Sequence, residues 1–290
     1  MMGADGLLIV DKPQGMTSAE VVRRVKRRLQ CKTGHVGTLD PFASGVLPLC
    51  VGAGTKIAQF LSITTKSYTG VIRLGRQTDT GDLTGTMIAT ASVPPVTREQ
   101  LAEVEQQLCG DMAQVPPMYS ALKYRGTPLY KLARRGIEVE RQPRQIHIDD
   151  LRLTAQDESA VAFSLSCSKG TYVRVLAEQI GVSLGTVAHL EALRRTRFGP
   201  FGLEQAITLD AAEENELQVF GLREALPHLR EIRVDAAAAR CARQGYEPML
   251  ETITAGGQDE AAKLVEPNGK LAAVIVSDRY GRWRFGRVFA

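Results

Sequence analysis

The segment from residue 31 to residue 56 constrains the chain most: it is Gly-rich, contains Pro41 and Pro48, and has little polar periodicity. Glycine and proline punctuate turns and interrupt regular elements, so regular structure must lie on either side of it. Upstream, Gly6-Leu7-Leu8-Ile9-Val10 reads as a short buried strand and 11–16 as a turn. Thr17 with Glu20 three residues later has capping-box spacing, and Val21, Val22, Val25 and Leu29 share one face of the helix this predicts. Arg23, Arg24, Lys26, Arg27 and Arg28 lie on its other side, either as a solvated face or as a phosphate contact.

Downstream, 68–74 is strand-like, 79–82 is a polar turn and 98–108 a helix. Alternation of Val161, Phe163, Leu165 and Cys167 predicts a half-buried strand running into Ser168-Lys169-Gly170-Thr171-Tyr172-Val173-Arg174 and a helix to Ile180. Residues 204–224 are acidic and loop-like, a linker by composition. Beyond them, 235–245 reads as a short helix and 271–289 as two strands around Asp278-Arg279-Tyr280-Gly281. This suggests a small, mostly β, C-terminal module.

Charge is unevenly spread. Residues 1–200 hold 25 Lys/Arg against 18 Asp/Glu, a balance of +7, while 201–290 hold 11 against 14, a balance of −3. Between 116 and 148, seven cations (Lys123, Arg125, Lys131, Arg134, Arg135, Arg141, Arg144) meet only Glu138 and Glu140, interleaved with Tyr119, Tyr124 and Tyr130. Cations alternating with aromatics suit phosphate contacts and base stacking, so 116–148 reads as an RNA-facing excursion.

Other chemistries find little support. Gly52-Ala53-Gly54-Thr55-Lys56 has Thr before Lys, whereas a phosphate loop needs Lys before the hydroxyl. Five scattered cysteines without a Cys-x-x-Cys pair argue against a disulfide framework and a zinc site, and they fit a reducing cytoplasm. No stretch approaches a membrane span, and the short apolar run at 7–10, bracketed by Asp5 and Asp11, is no signal-peptide core. From local sequence alone, Asp40 is a turn residue bonding nearby amides.

A resemblance changes that reading. The run Gly34-His35-Val36-Gly37-Thr38-Leu39-Asp40-Pro41-Phe42-Ala43-Ser44-Gly45-Val46-Leu47-Pro48-Leu49 closely resembles the signature of the TruB family of pseudouridine synthases. Further family-like segments follow in order: Asp11-Lys12-Pro13, Lys66-Ser67-Tyr68, Thr78-Asp79-Thr80 with Asp82, Tyr119-Ser120-Ala121-Leu122-Lys123, Lys169-Gly170-Thr171-Tyr172 with Arg174, and Leu193-Arg194-Arg195.

The resemblance implies an α+β pseudouridine synthase fold: a central mixed, largely antiparallel sheet with flanking helices, spanning 1–225 as catalytic domain. A PUA-like β module at 231–290 would be appended. It implies isomerisation of uridine 55 in the tRNA T loop, without cofactor or metal, by a cytoplasmic monomer that binds the T arm and requires no protein partner. Asp40 would be the nucleophile, Arg174 its paired cation, and Tyr68 the stacking residue that can also assist at C5. Tyr172 and Leu193 would line the uracil pocket, and His35 would fill the space the flipped nucleotide leaves. The alternatives are a guide-dependent synthase within a ribonucleoprotein and a non-catalytic tRNA-binding or folding protein.

Overall fold

Apolar residues that come in unbroken runs must be covered on both faces of a sheet, whereas alternating ones need only a single cover. The computed structural model, which describes residues 5–61, 65–214 and 217–289, separates the two cases. Its main elements in chain order are β1 (Gly6–Lys12), α1 (Ser18–Leu29), β2 (Ser44–Val51), β3 (Lys66–Leu74), α2 (Arg98–Leu108), β4 (Gly110–Gln114), β5 (Arg144–Asp157), β6 (Ala160–Cys167), α3 (Val173–Ser183) and β7 (Ala188–Phe198). They form one sheet in the order Ile207–Thr208, β1, β2, β7, β3, β6, β5, β4. All neighbours are antiparallel except β2 with β7 and β1 with Ile207–Thr208, so the sheet is mixed and largely antiparallel as expected.

Leu8, Val10, Leu47 and Leu49 point to one face, where Val21 and Val25 of α1, Leu101 and Val104 of α2 and Leu176 and Ile180 of α3 complete a core. Leu7, Ile9, Val46 and Cys50 point to the other. Full burial of each aliphatic side chain contributes roughly 1.5–3 kcal/mol, which is why β1 and β2 lie where both faces of the sheet are covered. Helix α1 starts as the spacing predicts: Thr17 Oγ1 accepts from the Glu20 amide at 3.1 Å and Glu20 Oε2 from the Thr17 amide at 2.8 Å.

The parallel seam between β2 and β7 is brief, with only Ser44 opposite Arg194 and Gly45 opposite Arg195. Gly45 has φ of 105°, and a Cβ there would stand 2.1 Å from the Arg195 carbonyl oxygen, so no other residue fits the seam. Past it, β7 diverges and the short strand Thr33–His35 takes the vacated edge of β2. The loop carrying Asp40 spans this fork.

A second sheet, β8 (Arg230–Arg233), β9 (Ala261–Val265), β10 (Leu271–Ser277) and β11 (Trp283–Val288), is arranged in that order, with helix α4 (Ala236–Arg243) packed on it. The expected hairpin and helix are present; β8 and β9, four and five residues long, went unread in the sequence. Leu271, Val274 and Phe289 share a core with Leu7, Ile9 and Phe198, so the module lies against the back of the main sheet.

Two expectations need correction. Residues 204–224 are not a free linker: Ile207–Thr208 extends the sheet, Leu209 and Ala212 are buried, and Leu7 exchanges both backbone hydrogen bonds with Phe220 at 2.8 Å. The acidic composition there hides a few apolar positions that do the packing. The basic excursion ends near 143, because from Arg144 onward the chain is β5, bonded to β4 and β6.

Candidate active site

Asp40 sits in a loop fastened on both sides. Ser18 Oγ, at the buried start of α1, donates to the Leu39 carbonyl and accepts from the Leu39 amide, both at 2.9 Å. On the other side the Pro41 carbonyl accepts from Gly15 N at 2.8 Å and from Lys12 Nζ at 3.3 Å. Beneath, Arg195 donates from its Nε to the Val46 carbonyl and from its guanidinium to the Gly37 carbonyl, each at 2.7 Å. A turn acid satisfied by local amides would not need this scaffold. The Asp40 carboxylate instead reaches across to Arg174, with Nε to Oδ2 at 3.0 Å.

Arg174 is the second residue of α3 and only 5% exposed, not the surface ion pair that a first-turn arginine suggests. A cation at a helix N-terminus opposes the helix dipole, so other partners must offset the cost. They do: besides Asp40, its guanidinium donates to the Thr80 carbonyl at 2.8 Å and the Tyr119 carbonyl at 2.7 Å, and it lies 3.6 Å from Asp82 Oδ2. Gly81, with φ of 71°, allows this approach, since a Cβ there would lie 3.1 Å from Glu178 Oε1 and 3.4 Å from Arg174 Cβ. Asp82 is itself fixed, its Oδ1 accepting from the Thr80 hydroxyl and the Thr84 amide, both at 2.9 Å.

The charges around Asp40 compete. Burial pushes its carboxyl above the ordinary carboxylate range; the Arg174 cation opposes that most strongly, the Asp82 carboxylate adds to it, and Lys12 opposes it further. The net direction is upward. Asp40 nevertheless stays 37% exposed, so it is crowded by protein yet open to a ligand. Lys12, fully enclosed and bonded to the Pro13 and Met16 carbonyls at 2.8 and 2.7 Å, is lowered to about 8, chiefly by burial.

Tyr68 and Leu193, each 7% exposed, belong to the same apolar cluster as Leu39, Phe42 and Val173, the neighbours of Asp40 and Arg174. Burial raises the Tyr68 phenol, and a hydrogen bond with Arg195 opposes the rise. Tyr172 caps α3, its backbone bracketed by the Gln114 amide group at 2.8 and 3.2 Å. The negative charge of Asp40 is felt by both phenols. Asp40 and Arg174 are thus paired directly, Tyr68 and Tyr172 lie within reach of the Asp40 charge, and Leu193 shares an apolar cluster with Tyr68. His35 stands apart, on the short strand opposite Leu49, with its Nδ1 buried and unpartnered; burial, helped by Arg195, lowers its pKa.

Sequence reasoning did not single out Asp82, Lys12, Arg195 or Gln114 as site residues. Asp82, Lys12 and Arg195 lie within the family-like segments, but spacing does not reveal which member of a motif turns inward. The excursion is exposed at its cations except Arg141, which is half-buried against Glu138 and the Pro116 carbonyl, with Arg125 over the Tyr124 ring at 5.4 Å and Arg134 over Tyr130 at 5.7 Å. Its root is tied to the site through the Tyr119 carbonyl on Arg174. Among the described residues no cluster of three or more His, Cys, Asp or Glu side chains is placed to hold a metal, and no helix is long and apolar enough to cross a membrane.

Comparison with known proteins points to one family. Residues 23–173 match the profile described as TruB family pseudouridylate synthase (N terminal domain), and 174–227 the tRNA pseudouridylate synthase B C-terminal domain. The boundary between the two falls within α3, inside the first structural unit. The chain is 43% identical over 277 residues to tRNA pseudouridine synthase B of Syntrophotalea carbinolica, covering 92% of this chain and 90% of that one. It is 46% identical over 284 residues to the protein of that name from Aromatoleum aromaticum, covering 97% and 87%. Among solved structures, a chain of a Cbf5-Nop10-Gar1 complex superposes with a TM-score of 0.74 at 24% identity, over 98% of this chain and 84% of that one, a likeness of fold.

Proposed function

This chain belongs to the TruB family of pseudouridylate synthases, and from that premise we propose that it isomerises uridine 55 in the T loop of tRNA to pseudouridine, with Asp40 as the nucleophile. The observation that carries the proposal is the Asp40–Arg174 pair at 3.0 Å, in which the arginine is enclosed while the carboxylate side chain stays 37% exposed. Relatives at 43–46% identity named tRNA pseudouridine synthase B favour a tRNA substrate over the guide-dependent reading, which has only the 24% likeness behind it.

The reaction breaks the bond between ribose C1′ and uracil N1, turns the base and joins C1′ to C5. A proton leaves C5 and one is taken up at N1, so composition and oxidation state are unchanged. Attack on C1′ or on uracil C6 requires an ionised carboxylate, and the enclosure of Asp40 works against that state. Arg174 opposes that effect most strongly, and holding the guanidinium through two carbonyls and Asp82 fixes the direction of attack. A T-loop uridine reaches Asp40 only after leaving its stack, at a cost of a few kcal/mol. Tyr68, Tyr172 and Leu193 offer the flipped base an apolar pocket with aromatic faces. His35, kept neutral by burial, fills the vacated space as a stacking and hydrogen-bonding group. The cations of the excursion grip the T-arm backbone. The catalytic unit spans 1–225, with a PUA-like unit from 231, and the chain works as a monomer without a protein partner.

Incubating unmodified tRNA with the purified chain and mapping pseudouridine tests this reading. Modification at the T-loop uridine by the chain alone is the expected result; no modification, or a requirement for an added guide RNA, would overturn it.

A further inference from the structure

A cleft of about 490 Å³ lies where the back of the main sheet meets the C-terminal sheet, outside the site described above. Lys32, Thr55 and Lys56 form one wall and 285–288, the end of β11, the other. Three cations line it, Lys32, Lys56 and Arg287, all exposed, and among the described residues no acidic side chain does. Lys56 is steadied at the seam by the Phe289 ring, 5.8 Å from its ammonium. None of the three has an ion-pair partner among the described residues. Residues 201–290 are net negative overall, so a cation presented there, facing two more from the other unit, needs its own explanation. β11 is an edge strand of its sheet, and a charge on an edge discourages unwanted strand pairing. That accounts for Arg287 but not for Lys32 and Lys56, which lie outside any strand, before Thr33–His35 and at the end of the 3-10 turn Gly52–Lys56.

The placement of Lys32 supplies the connection. It immediately precedes the strand Thr33–His35, and its carbonyl accepts from Gly52 N at 2.7 Å, which locks it beside the exit of β2 leading to Thr55 and Lys56. Three residues of extended chain, roughly 10 Å, separate Lys32 from His35, and the loop with Asp40 follows. Cleft, His35 and the nucleophile's loop therefore follow one another along the chain.

We propose that the cleft formed by Lys32, Lys56 and Arg287 is a second RNA-binding site, which holds backbone phosphates of the tRNA outside the T arm. This rests on the tRNA reading above. Unpaired cations facing each other across a groove release counterions when they meet phosphates, and folded RNA is recognised largely through its backbone and shape. The C-terminal sheet then contributes to affinity through one arginine at the seam, although the unit as a whole is acidic.

The test is the full chain carrying Lys32→Ala, Lys56→Ala and Arg287→Ala together, with binding measured against salt on a full-length tRNA transcript and on an isolated T-arm hairpin. All three side chains are exposed, so their removal leaves the cores intact. For full-length tRNA, Kd is expected to rise on the order of tenfold. The slope of log K against log salt should fall by about one for each phosphate that the triple variant no longer neutralises. Kd and turnover for the hairpin should stay as in the parent. An unchanged slope with full-length tRNA, or equal weakening on both RNAs, would overturn the proposal. Turnover of the hairpin by the parent chain is read in the same experiment, and its absence would count against the isomerase reading itself.

Discussion

Two arginines flank the Asp40 loop, both almost wholly enclosed, and their surroundings differ in kind. Arg174 faces Asp40 and Asp82 as well as two carbonyls. Arg195, beneath the loop and 1% exposed, has no carboxylate partner among the described residues: it holds the Val46 and Gly37 carbonyls, the Tyr68 phenol, and lies 5.2 Å from the centre of the Phe198 ring. Burial pushes the Arg195 guanidinium down from its ordinary value, with Tyr68 opposing. The first arginine is balanced by acids, so its contribution depends on their ionisation. The second is a multi-donor staple whose contribution is architectural. One tunes chemistry and the other holds the loop that presents it.

Asp40→Asn puts the contrast under the heaviest strain. Turnover, followed as tritium release from 5-tritiated uridine in tRNA, is expected to fall by about 10³-fold or more, on the order seen when a covalent nucleophile is removed, while tRNA binding persists. Undiminished release would make Arg174 another structural arginine. Next, Arg195→Met should lower unfolding stability by about 2–4 kcal/mol in a urea titration, since two buried carbonyls lose their donors at roughly 1–3 kcal/mol each. An unchanged midpoint would mean that the loop holds its place without the staple.

Arg174→Lys is expected to reduce kcat by about 10–100-fold, since a point charge cannot keep the guanidinium's directed contacts. The sign of its pH effect also follows. Arg174 pulls the Asp40 pKa down against burial, so a weaker partner lets it rise, and the acidic limb of the kcat/KM profile should move to higher pH. A limb that stays in place would uncouple the pair. A smaller effect concerns stability. Because the folded-state pKa of Asp40 is raised, its ionised form opposes folding above the unfolded carboxylate range. Asp40→Asn should therefore have a Tm no lower than the parent at pH 7, with the difference vanishing at acid pH. The least effect is expected at His35: with its pKa lowered, tRNA affinity of the parent should be flat between about pH 6 and 8, the range in which an ordinary imidazole titrates. A Kd that tightens several-fold toward the acid end of that range would point to a charged imidazole instead.

Helix α1 with its capping box, strands β1, β3 and β6, and the C-terminal hairpin were legible because each obeys a local rule of period or turn chemistry. The segment around Asp40 was legible only as a motif. Its local composition described a turn, and the structure does contain a turn, pinned by Ser18, Lys12, Gly15 and Arg195. The 204–224 stretch misled because acidic composition is an average, whereas packing is decided by single residues such as Leu209 and Phe220.

Local sequence was enough to specify most of the strands and helices, and which residue types are available for chemistry, because hydrophobic period and turn propensity act over a few residues. It could not specify that Arg174 would be shared between Asp40 and Asp82, that Arg195 would lie beneath the loop without an acid, or that Lys32, Lys56 and Arg287 would face one cleft. Those arrangements arise in the folded chain, from the order and register of strands far apart in sequence. There, burial and charge are properties of the assembled neighbourhood, carried by no single segment.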